Sequence, residues 1–113
     1  MMPVNPAEGA LGGFLDSTLS VAREKGIAVI GMKVLGASHY ISSELRITPE
    51  LLIRYALSQD ITVAIVGCST PQHVQILVRV GQECEPLSAE EQYALVEQFR
   101  PYTPQIAYYR GVI

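Results

Sequence analysis

The stretch 61–80 constrains the fold most, because an uncharged β-branched run leads directly into a strong helix start. Residues 61–66 read Ile-Thr-Val-Ala-Ile-Val, and a run that is apolar on both faces is typical of a parallel strand covered on both sides. Gly67 permits a tight turn, while Thr70 and Pro71 are favoured at the N-cap and at the first helical position. The stretch therefore predicts a strand, a short turn and a helix.

The turn between this strand and helix is a candidate anion site. Unpaired N–H groups at a helix N-terminus act with the helix dipole to favour negative charge. A plain βα turn without a ligand explains the same residues, since the glycine spacing matches neither a P-loop nor a dinucleotide-binding fingerprint. Both interpretations stay open on these residues alone.

Composition excludes several classes of function. The chain has 113 residues, of which 49% are hydrophobic, which predicts one modest packed domain. A net charge of −3 with scattered basic residues predicts neither a nucleic-acid partner nor an anionic membrane partner. No signal peptide and no membrane-spanning run is recognised. Cys68 and Cys84 lack CxxC spacing and are interpreted as free thiols, so we expect a cytoplasmic location.

The first quarter of the chain predicts an extended start followed by one helix. Residues 1–6 contain two prolines, which oppose a helix, and are interpreted as the end of a strand. Residues 9–13 contain three glycines and predict a flexible turn. Residues 14–25 follow helical spacing, with Gly26 as the C-cap.

The remainder alternates strands and helices. Residues 27–35 form an apolar run whose one charge, Lys33, lies near the C-terminal end, where parallel strands face a ligand. A Thr-Pro start predicts a helix over residues 51–59, and Ser88 predicts another that ends near Arg100.

The predicted order is β-α-β-α-β-α-α, which implies right-handed parallel crossovers. Two complete strands and one stub leave exposed edges and apolar faces that are hard to cover. We therefore expect residues 1–113 to form a single partial domain of a larger α/β fold, with residues 101–113 as a tail.

Two blocks of this sequence resemble the C-terminal part of the aldo-keto reductases. The first is Gly-Ile-Ala-Val-Ile-Gly-Met-Lys-Val-Leu-Gly at residues 26–36. The second joins Arg-Tyr-Ala-Leu-Ser-Gln at residues 54–59 to Val-Ala-Ile-Val-Gly-Cys-Ser-Thr-Pro at residues 63–71. The likeness runs from Met1 to about Arg100. It implies a TIM barrel, (β/α)8, of which this chain would supply the last three βα units as a C-terminal half-barrel fragment.

The resemblance implies that the chain cradles NADP(H) or NAD(H) for the reduction of a small carbonyl substrate. In the family, the turn after the seventh strand contacts the nicotinamide and pyrophosphate, and the matching residues here are Met32, Lys33, Leu35 and Gly36. The turn after the eighth strand receives the adenosine phosphate, and the matching residues here are Gly67, Cys68, Ser69 and His73. The catalytic Asp, Tyr, Lys and His of the family lie on earlier strands and have no counterpart here. We therefore assign no catalytic residue and expect no activity from this chain alone.

Departures from the family pattern predict weak discrimination between NADPH and NADH. His73 stands where many members carry an Arg, and Ile76 and Leu77 replace a Glu-Asn pair. An Arg offers a permanent charge and a bidentate fork that a His lacks. Met32 occupies the place of an aromatic that stacks on the nicotinamide. No set of Cys, His, Asp and Glu has metal-ligand spacing.

Several assignments keep an alternative. Lys33 reaches a phosphate or pairs inside a barrel mouth, and Cys68 lines the cofactor turn or is a small buried thiol. Tyr108 and Tyr109 are expected to pack the tail against one end of the barrel. The alternative for the whole chain is a non-catalytic α/β module that binds a nucleotide or a partner, and in either case the open strand edges favour self-association.

Overall fold

A computed structural model describes residues 1–83 and 85–103, which form an α/β domain around a parallel sheet. Its strands β1, β2 and β3 lie in the order β1-β2-β3 and comprise Met2–Pro3, Ile30–Met32 and Val63–Ala64. Both neighbouring pairs are parallel, which confirms the predicted strand direction. The expectations for Cys84, Tyr108 and Tyr109 fall outside the described residues.

Five α-helices connect or flank these strands in the described part of the chain. They are α1 Pro6–Leu11, α2 Leu19–Glu24, α3 Pro49–Leu57, α4 Pro71–Glu83 and α5 Ala89–Phe99. A π-helical turn at Phe14–Thr18 precedes α2, and 3-10 turns lie at Gly36–Ser38 and Arg100–Tyr102. None of these helices is long and apolar enough to cross a membrane.

Local capping chemistry explains where the later helices begin. The Thr48 hydroxyl accepts a hydrogen bond from the Leu51 N–H at 3.2 Å, so α3 begins at the predicted Thr-Pro signal. Ser88 and Glu91 form a reciprocal capping box at the start of α5, as the spacing of these two residues favours. Gly26 has a φ of 67°, the left-handed geometry expected of a helix C-cap.

Helix α1 was not predicted, and the prediction of an extended start and a flexible glycine turn is wrong for residues 6–11. Asn5 caps α1, because its side-chain oxygen accepts from the Glu8 N–H at 3.0 Å. Pro6 then occupies the first helical position, where its missing N–H costs nothing. Gly9 lies inside the helix, and a Cβ there would lie 2.6 Å from the Tyr55 hydroxyl.

The strands are shorter than the apolar runs that predicted them. Residues 27–35 yield only Ile30–Met32, and β2 ends where Lys33 turns into the left-handed region with a φ of 56°. The predicted helix over residues 14–25 is present but starts as the π-helical turn. The apolar runs therefore predicted which segments contain strands but not the residues at which the strands begin and end.

The two faces of the sheet are covered unequally. Register places Met2, Gly31 and Ala64 on one face, and this face packs on the core together with α3 residues such as Leu52. On the opposite face Val63 remains 51% exposed, as does Ile65 just beyond β3. The expectation that this strand is covered on both faces is thus wrong for the described residues.

Tyr55 on α3 links the core to the segment that follows β1. Its side chain is buried, and burial raises the pKa of the Tyr55 hydroxyl to about 12, with a smaller contribution from the negative charge of Asp16. A neutral hydroxyl tolerates an apolar surrounding far better than a phenolate does.

Candidate functional site

The candidate site lies where β2 and β3 end, on the loops that follow these neighbouring parallel strands. The backbone after β2 enters the left-handed region four times, at Lys33, Gly36, Ala37 and Ser38, with φ between 54° and 71°. Three of these residues are not glycine, and such strained positions persist only where the surroundings hold them. The loop is therefore a tight, defined turn rather than an open connection.

Asn5 holds this turn from the neighbouring strand. Its side-chain amide donates to the Lys33 carbonyl at 3.0 Å, while its oxygen caps α1. The residue is completely buried, so water does not compete for either bond. One side chain thus joins the end of β1, the start of α1 and the turn after β2.

A second link joins the turn after β2 to the turn after β3. The hydroxyl oxygens of Ser38 and Ser69 lie 2.7 Å apart, across 31 residues of sequence. Ser69 is one of the predicted cofactor residues, and Ser38 lies two residues beyond another of them, Gly36. The two segments assigned to the two ends of a dinucleotide are therefore adjacent in space.

A groove of about 320 Å³ opens at these strand ends, and we refer to it as the strand-end groove. Four of its lining residues are predicted cofactor residues, namely Met32, Lys33, Leu35 and Gly67. The others are Met1, Val34, Ala37 and Ile65. Lys33 carries the only charged side chain among these lining residues. The groove is thus lined mainly by apolar side chains, with one charged side chain, and lies at the carboxyl ends of parallel strands, where α/β folds place ligands.

The N-terminus of α4 lies beside this groove, and its donors are partly occupied. The Ser69 N–H donates to Nδ1 of His73 at 3.3 Å, and the His73 N–H donates to the Thr70 hydroxyl at 3.2 Å. The expectation of unpaired donors is therefore wrong for these two groups. An anion that takes the Ser69 N–H must displace the His73 imidazole, whose Nδ1 accepts and so carries no proton in this arrangement.

The other predicted residues have mainly structural contacts. Gly36 is buried, and a Cβ there would lie 2.5 Å from the Tyr40 ring. The half-buried Cys68 thiol points to the Val66 carbonyl at 3.7 Å. Leu77 on α4 is partly buried against the core, so this departure from the family pattern serves packing.

Sequence reasoning missed Asn5 and Ser38. For Asn5 a signal was present, because Asn followed by Pro is a favoured helix start. Ser38 had none, since its role arises from a tertiary contact with Ser69. Within residues 1–83 and 85–103, no group of three or more His, Cys, Asp or Glu side chains could hold a metal ion.

Comparison with known proteins assigns the chain to no family. No family model, no curated protein and no solved structure matches the chain. The resemblance to the aldo-keto reductases accordingly stays a prediction, and the site is interpreted from its residues and their arrangement.

Proposed function

We propose that this chain is the cofactor-binding C-terminal part of an NAD(P)H-dependent aldo-keto reductase, contributing the last three βα units of a (β/α)8 barrel. The observation that carries the proposal is the Ser38–Ser69 contact of 2.7 Å. It brings together two segments that the resemblance assigned to the two halves of one dinucleotide. The sequential parallel order of β1, β2 and β3 is that of consecutive barrel strands, but open parallel sheets contain it as well.

The dimensions and charges of the site suit an extended dinucleotide held at two points. A groove of about 320 Å³ is at the small end of ligand pockets, so it accommodates one end of such a molecule. Met32 would contact the nicotinamide there and Lys33 would face the pyrophosphate, whereas Leu35 is only 1% exposed and forms part of the groove wall. Ser69 and the start of α4 would receive the adenosine phosphate once the His73 ring moves aside.

Hydride transfer would come from the bound nicotinamide, while the carbonyl oxygen must also receive a proton. General acid catalysis contributes roughly two to four powers of ten, and it needs an acid within hydrogen-bond reach of that oxygen. Among the described residues that line the groove, Lys33 carries the one charged side chain, and we assign it to phosphate rather than to proton transfer. The chain alone therefore binds cofactor without reducing a carbonyl compound.

Titration of the chain with NADPH and NADH at low salt tests the assignment, with nicotinamide fluorescence as the readout. Ser69→Asp should weaken NADPH binding about five- to tenfold, because a new carboxylate near a phosphate costs about 1 kcal/mol at the surface. The loss should shrink in 0.5 M salt. Ser20→Asp on the exposed side of α2 adds the same charge and is the matched control.

A further variant separates charge from loop geometry. Ser38→Ala removes the Ser38–Ser69 contact without adding charge, so its effect should not depend on salt. Unchanged affinity in Ser69→Asp, or equal losses in Ser69→Asp and Ser20→Asp, would refute the site. We also expect less than about a hundredfold preference for NADPH over NADH, which is about 2.7 kcal/mol.

A partner-binding module is the second candidate, and the exposure of Val63 and Ile65 favours it. Each is 51% exposed on the same sheet face, and apolar exposure beside an open strand edge invites association. Light scattering of the purified chain should then show dimers or larger species. Association without any dinucleotide binding would favour this candidate over the reductase assignment.

A further inference from the structure

A second cavity lies between the loop after β2 and helix α5, and we call it the α5 pocket. It has a volume of about 200 Å³. Its lining combines aromatic and aliphatic side chains with hydroxyl and amide groups, and includes Tyr40, Ser42, Ile47, Gln98, Phe99 and Tyr102. It shares no described lining residue with the strand-end groove, so the proposed cofactor does not account for it.

Hydrogen bonds hold the walls of the α5 pocket together. Ser42 and Ile47 pair through both of their backbone bonds, at 2.9 and 2.8 Å. Gln98 donates its side-chain amide to the Leu45 carbonyl at 3.2 Å, which ties this loop to α5. The fold therefore builds the pocket without a ligand, as is usual for small-molecule sites.

Two buried aromatic rings form one wall of the α5 pocket. Tyr40 and Phe99 are 3% and 2% exposed and meet edge to face, with ring centroids 5.4 Å apart. A further aromatic ring packs favourably against such a pair. A cavity of about 150 Å³ with apolar walls is large enough to bind benzene. The α5 pocket, at about 200 Å³, therefore accommodates one aromatic ring with a small substituent.

The polar groups of the α5 pocket suit an uncharged hydroxyl. The Ser42 hydroxyl oxygen accepts from the Leu45 N–H at 3.2 Å, which leaves its own hydrogen for a further bond. The Gln98 nitrogen faces the Leu45 carbonyl, so the amide oxygen remains an acceptor. None of the described lining residues is Lys, Arg, Asp or Glu, and His39 is exposed. A buried ionic group would thus lack a buried counter-charge among them.

We propose that the α5 pocket is a binding site for a free, uncharged phenol of one ring. The ring packs against Tyr40 and Phe99, while its hydroxyl accepts from Ser42 and donates to Gln98. This site does not rest on the proposed cofactor function. Because the pocket is separate from the strand-end groove, the phenol is a bound ligand and not the compound that is reduced there.

Titration with p-cresol tests the site, with the methyl signals of the isotope-labelled chain as the readout. The Ile47 methyl signals should shift, because Ile47 lines the α5 pocket, whereas those of Val34 in the strand-end groove should not. The dissociation constant should be below about 1 mM. Toluene lacks the hydroxyl and methylcyclohexanol lacks the aromatic ring, so each should bind about three- to tenfold more weakly. The anion para-hydroxybenzoate should bind at least about thirtyfold more weakly.

Substitution of Ser42 tests the proposed donor, and Ser43→Ala, at the exposed neighbour outside the lining, is the matched control. Ser42→Ala should weaken p-cresol binding about three- to tenfold and leave toluene binding unchanged, while Ser42→Thr should retain the affinity for p-cresol. An equal loss for both ligands would contradict the role of Ser42 as donor.

Three results would overturn the site itself. The first is the absence of Ile47 shifts at about 5 mM p-cresol, well above the expected dissociation constant. The second is equal affinity for p-cresol, toluene and methylcyclohexanol, which would indicate an unspecific apolar crevice. The third is tighter binding of N-acetyltyrosine amide than of p-cresol, since the occupant would then be a tyrosine side chain of a partner protein.

Discussion

Replacing Asn5 tests whether one buried amide organises the start of α1 and the turn of the candidate site together. Asn5→Ala removes the cap on the Glu8 N–H and the bond to the Lys33 carbonyl, each 3.0 Å long. Loss of an N-cap costs about 1 kcal/mol. The partly buried Lys33 carbonyl keeps its bond from the Gly36 N–H at 3.3 Å, so loss of the Asn5 donor costs about 0.5–1.5 kcal/mol more. We therefore expect Asn5→Ala to lower the free energy of unfolding by about 1.5–2.5 kcal/mol.

Asn5→Ser separates the two contributions. Serine caps helices about as well as asparagine, but its shorter side chain does not reach the Lys33 carbonyl. Its loss should therefore be about 1 kcal/mol smaller than that of Asn5→Ala. Urea unfolding followed by far-UV circular dichroism at low protein concentration measures both. If both variants had free energies of unfolding within about 0.5 kcal/mol of the natural chain, the assignment of Asn5 to both bonds would be refuted.

The same variants distinguish support of the site from general stability. Asn5→Ser should weaken NADPH binding, because the left-handed turn at Lys33 loses its tether to β1. Thr48→Ala is the matched control, since it removes the α3 cap and about 1 kcal/mol without touching the groove lining. Equal affinity in both variants would mean that Asn5 stabilises the fold but does not position the site.

Three further substitutions and conditions test the packing around the site. Gly9→Ala should destabilise by about 1–2 kcal/mol in urea unfolding, because its Cβ would lie 2.6 Å from the Tyr55 hydroxyl and 2.8 Å from Val96, a clash that exceeds the helical preference for Ala. Gly36→Ala should cost about 2–4 kcal/mol by the same assay, through its φ of 56° and the Tyr40 ring. The free energy of unfolding should also fall as pH rises from 10 to 12, because the Tyr55 pKa of about 12 in the folded chain exceeds the usual value of about 10. The loss of stability from this group is about 1.4 kcal/mol at pH 11. It should be absent in Tyr55→Phe.

Local signals predicted the elements whose cause is local. The Thr-Pro start of α3 and the capping box at Ser88 and Glu91 depend on residues within one helical turn, so the sequence identifies them. The same kind of signal was present at Asn5 and was outweighed by a rule that treats proline only as a helix breaker. Pro6 is tolerated because it stands at the one helical turn that needs no N–H.

Features that depend on distant residues were not accessible in this way. The pairing of Ser38 with Ser69 requires the register of β2 against β3. The end of β2 depends on the left-handed backbone of Lys33, a geometry that a lysine adopts only when its surroundings impose it. Apolar runs therefore located the strands, whereas the candidate site residues came from the family resemblance. Tertiary contacts determine where the strands end and which N–H donors at the start of α4 are occupied.

The uncovered face of the sheet connects stability to the candidate site. Val63 and Ile65 are each 51% exposed there, and full burial of such a side chain contributes about 1.5–3 kcal/mol. Burying the exposed half of both side chains would therefore contribute about 1.5–3 kcal/mol, a large amount against a typical stability of about 5–15 kcal/mol.

Two ways of covering this face have opposite consequences for the cofactor. Ile65 also lines the strand-end groove, so a second copy packed on the face would obstruct the groove, and NADPH should then dissociate the dimer. Further strands that close a barrel, as the proposed function requires, would cover the face and leave the strand ends open, so NADPH should tighten that assembly. Sedimentation velocity of the chain with and without NADPH, and again after addition of an aldo-keto reductase N-terminal half, separates these cases. If NADPH changed the association constant of the assembly in neither experiment, the placement of the proposed cofactor site beside the open face would be contradicted.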